Sequence, residues 1–235
     1  MAEDGGGLSL EVEKLRKAWE RCRENYDHIL SSWALWEYLN GYPGVERADA
    51  MRLAVKNSKL TLDFGWMQQH LVLVTLVGIG RLVDPVGNGR GEGRLSIDQL
   101  TIFLKKPEMV ALLSNPVDLE NFVRTRGLSK EKWISEFNKL RSRLTGTDRS
   151  ISSIRPKIKE FRDNWLAHSL DNSPPSNVKV SDIKDAVVLI GYVLMLWGLV
   201  VHGANWDPKD FARLEMQHAK NFWRIFGDGL MQHQR

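Results

Sequence analysis

Apolar residues along this chain return every three or four positions over long stretches, and alternating β-branched runs are few. That period predicts amphipathic helices rather than strands. Between about 8 and 40, Leu15, Ala18, Cys22, Tyr26, Ile29 and Trp33 form one stripe, and Gly41-Tyr42-Pro43-Gly44 marks its end. A second helix is expected from about Arg47 to Val83, most apolar from Leu71 to Ile79. Short helices are expected over 96–105 and 116–126, with Pro107 and Pro116 as punctuation. Ser129 caps a helix reaching Thr145, and Gly146 closes it. The next helix starts between Asp148 and Ser153 and ends near Leu170; Pro156 suits only its first turn, where no backbone donor is needed. Prolines 174 and 175 make 171–177 a loop, after which Ser181 to His202 reads as a buried helix stopped by Gly203. Asp207 and Pro208 then supply a cap and a first helical position for a last amphipathic helix to about Phe226. The expected class is all-α: one bundle of long antiparallel helices with extra short ones over 8–227. A disordered tip (1–7) and a flexible tail (228–235) flank it.

Three further features narrow the picture. Ala186 to Val201 is sixteen residues without a charge, slightly short of the roughly twenty a membrane span needs, so a buried core helix is expected. The loop 85–94 has glycines at alternate positions, but no Gly-Lys-Ser/Thr follows, so a surface connection is expected rather than a phosphate cradle. Cys22 is the single cysteine. It excludes an internal disulfide framework and a multi-cysteine zinc site, which suits a reducing cytoplasmic setting. The opening Met1 to Gly7 is acidic and glycine-rich, unlike a secretion signal. His28, His70, His202 and His218 show no metal-ligand spacing, so no metal and no cofactor is expected.

The formal net charge is only +4, yet twelve Lys/Arg against four acids lie between Arg124 and Arg162, a local +8. Such a sector suits a nucleic-acid backbone, and equally a solvated helix face. It leads into Phe161-Arg162-Asp163-Asn164-Trp165-Leu166-Ala167-His168. An arginine fork matches phosphate geometry and imidazole exchanges protons near neutral pH. Ile151, Ile154, Ile158, Phe161 and Trp165 follow spacings of three and four, and one further step lands on His168. Asn164 and His168 fall within about 40° of each other, whereas Arg162 is about 120° from His168 and about 9 Å away along the axis. A straight helix does not aim both at one atom. Either the arginine reaches round the helix edge, or two copies of the helix complete the site across a two-fold dimer. The structural alternatives are a satisfied core or interface histidine, an Arg162 ion pair with Glu160 or Asp163, and an Arg81–Asp84 pair within the bundle.

Arg162, Asp163 and His168, with the ending Ala167-His168-Ser169, resemble the signature of the HEPN superfamily, in which a polar residue follows the arginine and a histidine stands four to six positions beyond it. Gly80-Arg81-Leu82-Val83-Asp84 with Leu95-Ser96-Ile97 is similar to its abortive-infection and phage-defence branches. The likeness of architecture spans about 10–225. It implies a HEPN-like helical bundle and metal-independent RNA cleavage, with the ribose 2′-hydroxyl attacking the adjacent phosphate. His168 would be the general acid/base and Arg162 the phosphate-stabilising cation, while Asp163 or Asn164 orients the imidazole or binds ribose. RNA contacts would fall to Arg141, Arg143, Arg149, Arg155, Lys157 and Lys159, with Trp165 stacking a base or packing in the core. A homodimer through this helix, and an antitoxin or a partner enzyme that silences the protein by nucleotidylation near the histidine, belong to the same implication. The competing expectation is a non-catalytic module that binds nucleic acid, nucleotide or a protein partner.

Overall fold

The structure, a computed structural model, describes residues 5–41, 55–56, 61–84, 96–114, 129–168, 179–202 and 206–232. Among these, every regular element is helical: α1 (Gly5–Asn40), α2 (Thr61–Val83), α3 (Asp98–Phe103), α4 (Pro107–Ser114), α5 (Lys130–Thr145), α6 (Ile151–His168), α7 (Val180–Trp197) and α8 (Pro208–Gln232). A π-helical turn, Gly198–His202, continues α7. The expected helix over 116–126, the loops 85–94 and 171–177, and the start of the second helix near Arg47 lie outside the described residues.

Local chemistry explains most boundaries. Leu15, Cys22, Tyr26, Ile29 and Trp33 are all buried on α1, with Trp19 rather than Ala18 between them. Gly41 ends the helix at φ 58°, a left-handed conformation that glycine adopts without penalty. Ser129 caps α5 by accepting the Lys132 N–H at 3.2 Å. Gly146 closes α5 through its N–H to the Ser142 carbonyl at 2.8 Å, and a Cβ there would stand 2.5 Å from that oxygen. Ser150 and Ser153 bond each other's backbone N–H at 3.2 and 3.0 Å, which starts α6. At α7 the Lys179 N–H bonds the Asp182 carboxylate at 3.2 Å.

Several boundaries differ from the pattern-based expectation. Pro107 opens α4 instead of ending a helix, because its fixed φ and missing N–H suit a first helical position. Pro156 is the sixth residue of α6, beyond the first turn. It and Ser152, whose carbonyl the ring deprives of a partner, are both exposed, so water can satisfy that group. The first helix begins at Gly5, within the expected tip, and α8 runs past Phe226 to Gln232. There Gly227 is buried and Phe226 packs edge-on to Trp223.

The chain divides into two compact units, each drawn from two segments: 1–26 with 79–207, and 27–78 with 208–235. In the first, α5 packs against α3, α4, α6 and α7, and α6 also meets α7. Leu15, Trp19, Ile79, Leu82, Phe137, Leu140, Ile158, Leu194 and Trp197 fill its core; each such side chain contributes about 1.5–3 kcal/mol of burial. Polar bonds align α1 on α7: the Trp19 indole N–H donates to the Leu194 carbonyl at 2.8 Å and the Tyr26 hydroxyl to the Val187 carbonyl at 3.0 Å. Trp19 also lies against Gly198, where a Cβ would stand 2.6 Å from its ring. The segment Val180–Val201 is the one described helix long and apolar enough to cross a membrane, and 61% of its most apolar stretch is buried inside the fold. The second unit gathers Ala34, Tyr38, Leu39, Val55, Ala219 and Trp223 into one cluster, with Phe64, Met67 and Leu71 against it. The Trp223 indole N–H donates to the Leu35 carbonyl at 2.9 Å, and Ser31 donates to Glu215 at 2.7 Å.

Candidate functional site

Two arginines seven positions apart share one face of α6 and meet the C-terminal end of α2. That end carries the negative pole of the helix dipole and carbonyls without intrahelical partners. Residues 96 and 97 bond to some of these carbonyls. The Ile97 N–H bonds the Leu82 carbonyl at 2.8 Å. Buried Ser96 donates its hydroxyl to the Asp84 carbonyl at 2.6 Å and accepts the Asp98 N–H at 3.1 Å. Arg155 donates its Nε–H to the Val83 carbonyl and a second N–H to Asp98 Oδ1 at 3.0 Å.

Arg162 makes the corresponding contact two turns later. Its Nη1 bonds Asp84 Oδ2 at 2.6 Å, while Nε and Nη2 share Asp163 Oδ1 at 3.2 and 3.1 Å. The arginine side chain retains 23% of its exposure, against 41% for Asp84 and 52% for Asp163. The hydrogen bond to Asp84 holds the guanidinium above its ordinary pKa, against the opposing effect of partial burial, so it carries full charge at any working pH. Gly80 lets this side chain lie flat: a Cβ there would stand 3.2 Å from Nη1 and 3.5 Å from Cδ. One cation and two carboxylates leave the spot with a net formal charge of −1. Asp84 therefore pairs with Arg162, not with Arg81 as the sequence suggests, while the Arg162–Asp163 pair is present as expected.

The remaining candidates separate. Position 168 closes α6, and the side chains of Asn164, Trp165 and His168 lie outside the described residues. In helical register, position 168 follows 154, 157 and 161 rather than 155 and 162. Arg143, Arg149 and Lys157 line a cleft of about 1080 Å³ between α5, α6 and α7, shared with Asp148, Glu160, Asp182 and Asp185 and floored by Ile154, Ile158 and Leu189. Its rim thus carries more acidic than basic groups. Arg143 donates to the Arg149 carbonyl at 2.9 Å and stands 5.7 Å over the Tyr192 ring, while Arg149 has a left-handed φ of 44°. Arg141 borders a separate recess of about 290 Å³ with Lys105, Thr101 and Thr145. Lys159 is exposed, and Arg155 is committed to Asp98 and Val83. Among the described residues, no three His, Cys, Asp or Glu side chains gather as a metal-ligand group.

Sequence reasoning missed Gly80, Ser96 and Asp98 as parts of this arrangement and gave Asp84 the wrong partner. Gly80 and Ser96 stand in the two short stretches singled out in the sequence, 80–84 and 95–97, and Asp98 follows directly after the second. No family model, no curated protein and no solved structure matches the chain.

Proposed function

We propose that this protein is a metal-independent endoribonuclease of the HEPN type, a toxin or antiviral-defence effector acting in the cytoplasm, with α6 carrying the chemistry. The observation that supports this reading best is Arg162. Its guanidinium is fixed in place and charged, and it commits three of its five N–H groups to described residues. It also stands on the helix that ends at His168. In this reading the guanidinium of Arg162 binds a phosphate oxygen. His168 moves the proton of the attacking 2′-hydroxyl, while Asn164 or Asp163 assists. Because 162 and 168 face different directions on one helix, the reading includes a homodimer that brings the arginine of one α6 toward the histidine of another.

The net negative charge around Arg162 opposes a phosphate at that spot and so favours a second reading, a non-catalytic module that binds a protein partner, or nucleic acid or nucleotide through cations other than Arg162. Incubating wild type, His168→Ala and Arg162→Gln with a structured RNA pool in EDTA separates the two. The ribonuclease reading expects cutting by wild type, ends bearing cyclic phosphate, and loss of cutting in both variants. Cutting that survives His168→Ala refutes it. RNA binding without cutting, unchanged in His168→Ala, supports the module.

A further inference from the structure

We propose that Asp84 is a built-in competitor for phosphate at Arg162, so that an RNA backbone binds there by exchanging carboxylate for phosphate. The inference rests on the reading of Arg162 as an RNA-contacting residue. Carboxylate and phosphate oxygens present the same acceptor geometry to a guanidinium fork. Asp84 Oδ2 occupies that position at 2.6 Å, closer than either bond to Asp163. Asp163 is an exposed neighbour on the same helix and can swing away with one rotamer change. Asp84 is tied down differently. It follows the last residue of α2, its N–H bonds the Gly80 carbonyl at 2.8 Å, and its carbonyl accepts from Ser96. The backbone thus sets the carboxylate against the arginine, and Gly80 provides the flat surface on which the arginine lies.

Exchange is possible because the pair faces water: Asp84 keeps 41% of its side-chain exposure. A phosphate replacing it releases a solvated carboxylate instead of stranding a buried one. The device sets a threshold. A phosphate must outcompete a carboxylate tethered at high local concentration, so isolated anions bind poorly while a polyanion that also engages neighbouring cations succeeds.

The test uses the whole chain and a fluorescein-labelled 2′-O-methyl RNA, which lacks the attacking hydroxyl and stays intact. Anisotropy titrations compare wild type, Asp84→Asn, Arg162→Gln and the double variant, with Asp84→Ser as a second replacement and circular dichroism confirming helix content. Removing one nearby negative charge is expected to tighten binding about two- to fivefold at low ionic strength, with the gain shrinking as salt rises. The gain is expected to vanish when Arg162 is glutamine. Asp84→Asn and Asp84→Ser both binding no tighter than wild type, or a gain that persists without Arg162, overturns the exchange; absence of binding in every variant overturns it together with the RNA reading. A parallel arm with ordinary RNA in EDTA judges the ribonuclease claim separately: if neither wild type nor Asp84→Asn cuts, that claim fails while the binding arm still decides the exchange.

Discussion

Replacing Arg155 by alanine removes the contact that fastens α6 to the end of α2. Two hydrogen bonds from a charged donor are lost, to the Val83 carbonyl and to Asp98, each worth about 1.5–3 kcal/mol. Arg155 and Asp98 retain 25% and 15% of their side-chain exposure, so water recovers part of the loss and the lower end of that range applies. Val83 is fully buried, and leaving its carbonyl without a partner adds a penalty of about 1 kcal/mol or more. The sum is about 4 kcal/mol. Urea unfolding followed by tryptophan fluorescence reads it, since Trp19 and Trp197 are buried in the same unit. With a slope of about 3 kcal/mol/M, the midpoint falls by about 1 M. Arg155→Lys keeps the charge but lacks the fork, and about half the loss is expected. Arg162→Gln is expected to shift the midpoint by less than about 0.3 M, because both its acidic partners are largely solvated. Equal effects of Arg155→Ala and Arg162→Gln, or an Arg155→Ala midpoint within about 0.2 M of wild type, would refute the assignment of Arg155 as the anchor.

Three further outcomes follow from the packing. Gly198→Ala puts a methyl 2.6 Å from the Trp19 ring and is expected to cost about 1–3 kcal/mol, with altered near-ultraviolet circular dichroism; unchanged stability would show that Trp19 moves freely. Cys22 is fully buried and burial pushes its thiol up to about 12, so a disulfide reagent at pH 8 should label it only at the rate of unfolding; rapid labelling of native protein contradicts that. Glu11 is held below its ordinary carboxylate pKa chiefly by its hydrogen bond to Lys106. A depressed folded pKa stabilises above the unfolded value of 4.5 and loses that contribution as pH falls through the folded value. Wild type should therefore exceed Glu11→Gln slightly at pH 7 and converge with it near pH 3; a gap that widens in acid reverses the sign and refutes the pairing.

The helices were legible where the cause is local. The α1 stripe, the Ser129 cap, the Gly146 stop and the Pro208 start each depend on residues within one or two turns. Pro107 and Pro156 misled because proline restricts one donor and one angle without saying whether a helix begins nearby. The π-helical turn that begins at Gly198 lies against Trp19, a residue far earlier in the chain. The same reason hid the partner of Arg162. Asp163 is adjacent in sequence and was expected, but Asp84 is 78 positions away, at the end of α2 where Ser96 and Ile97 also bond. Spacing places 162 and 168 on different faces of α6. Spacing does not reveal which neighbours a face acquires.

Each compact unit is assembled from two segments distant in sequence, and this has a consequence during synthesis. The residues of 27–78 leave the ribosome early, yet the cluster of Ala34, Tyr38 and Leu39 is completed by Ala219 and Trp223 of α8. Until that helix emerges, the aromatic and aliphatic surface it will cover stays open to water and to other nascent chains. A message truncated before Pro208 would produce a polypeptide able to close one unit but not the other, a natural client for chaperones and proteases.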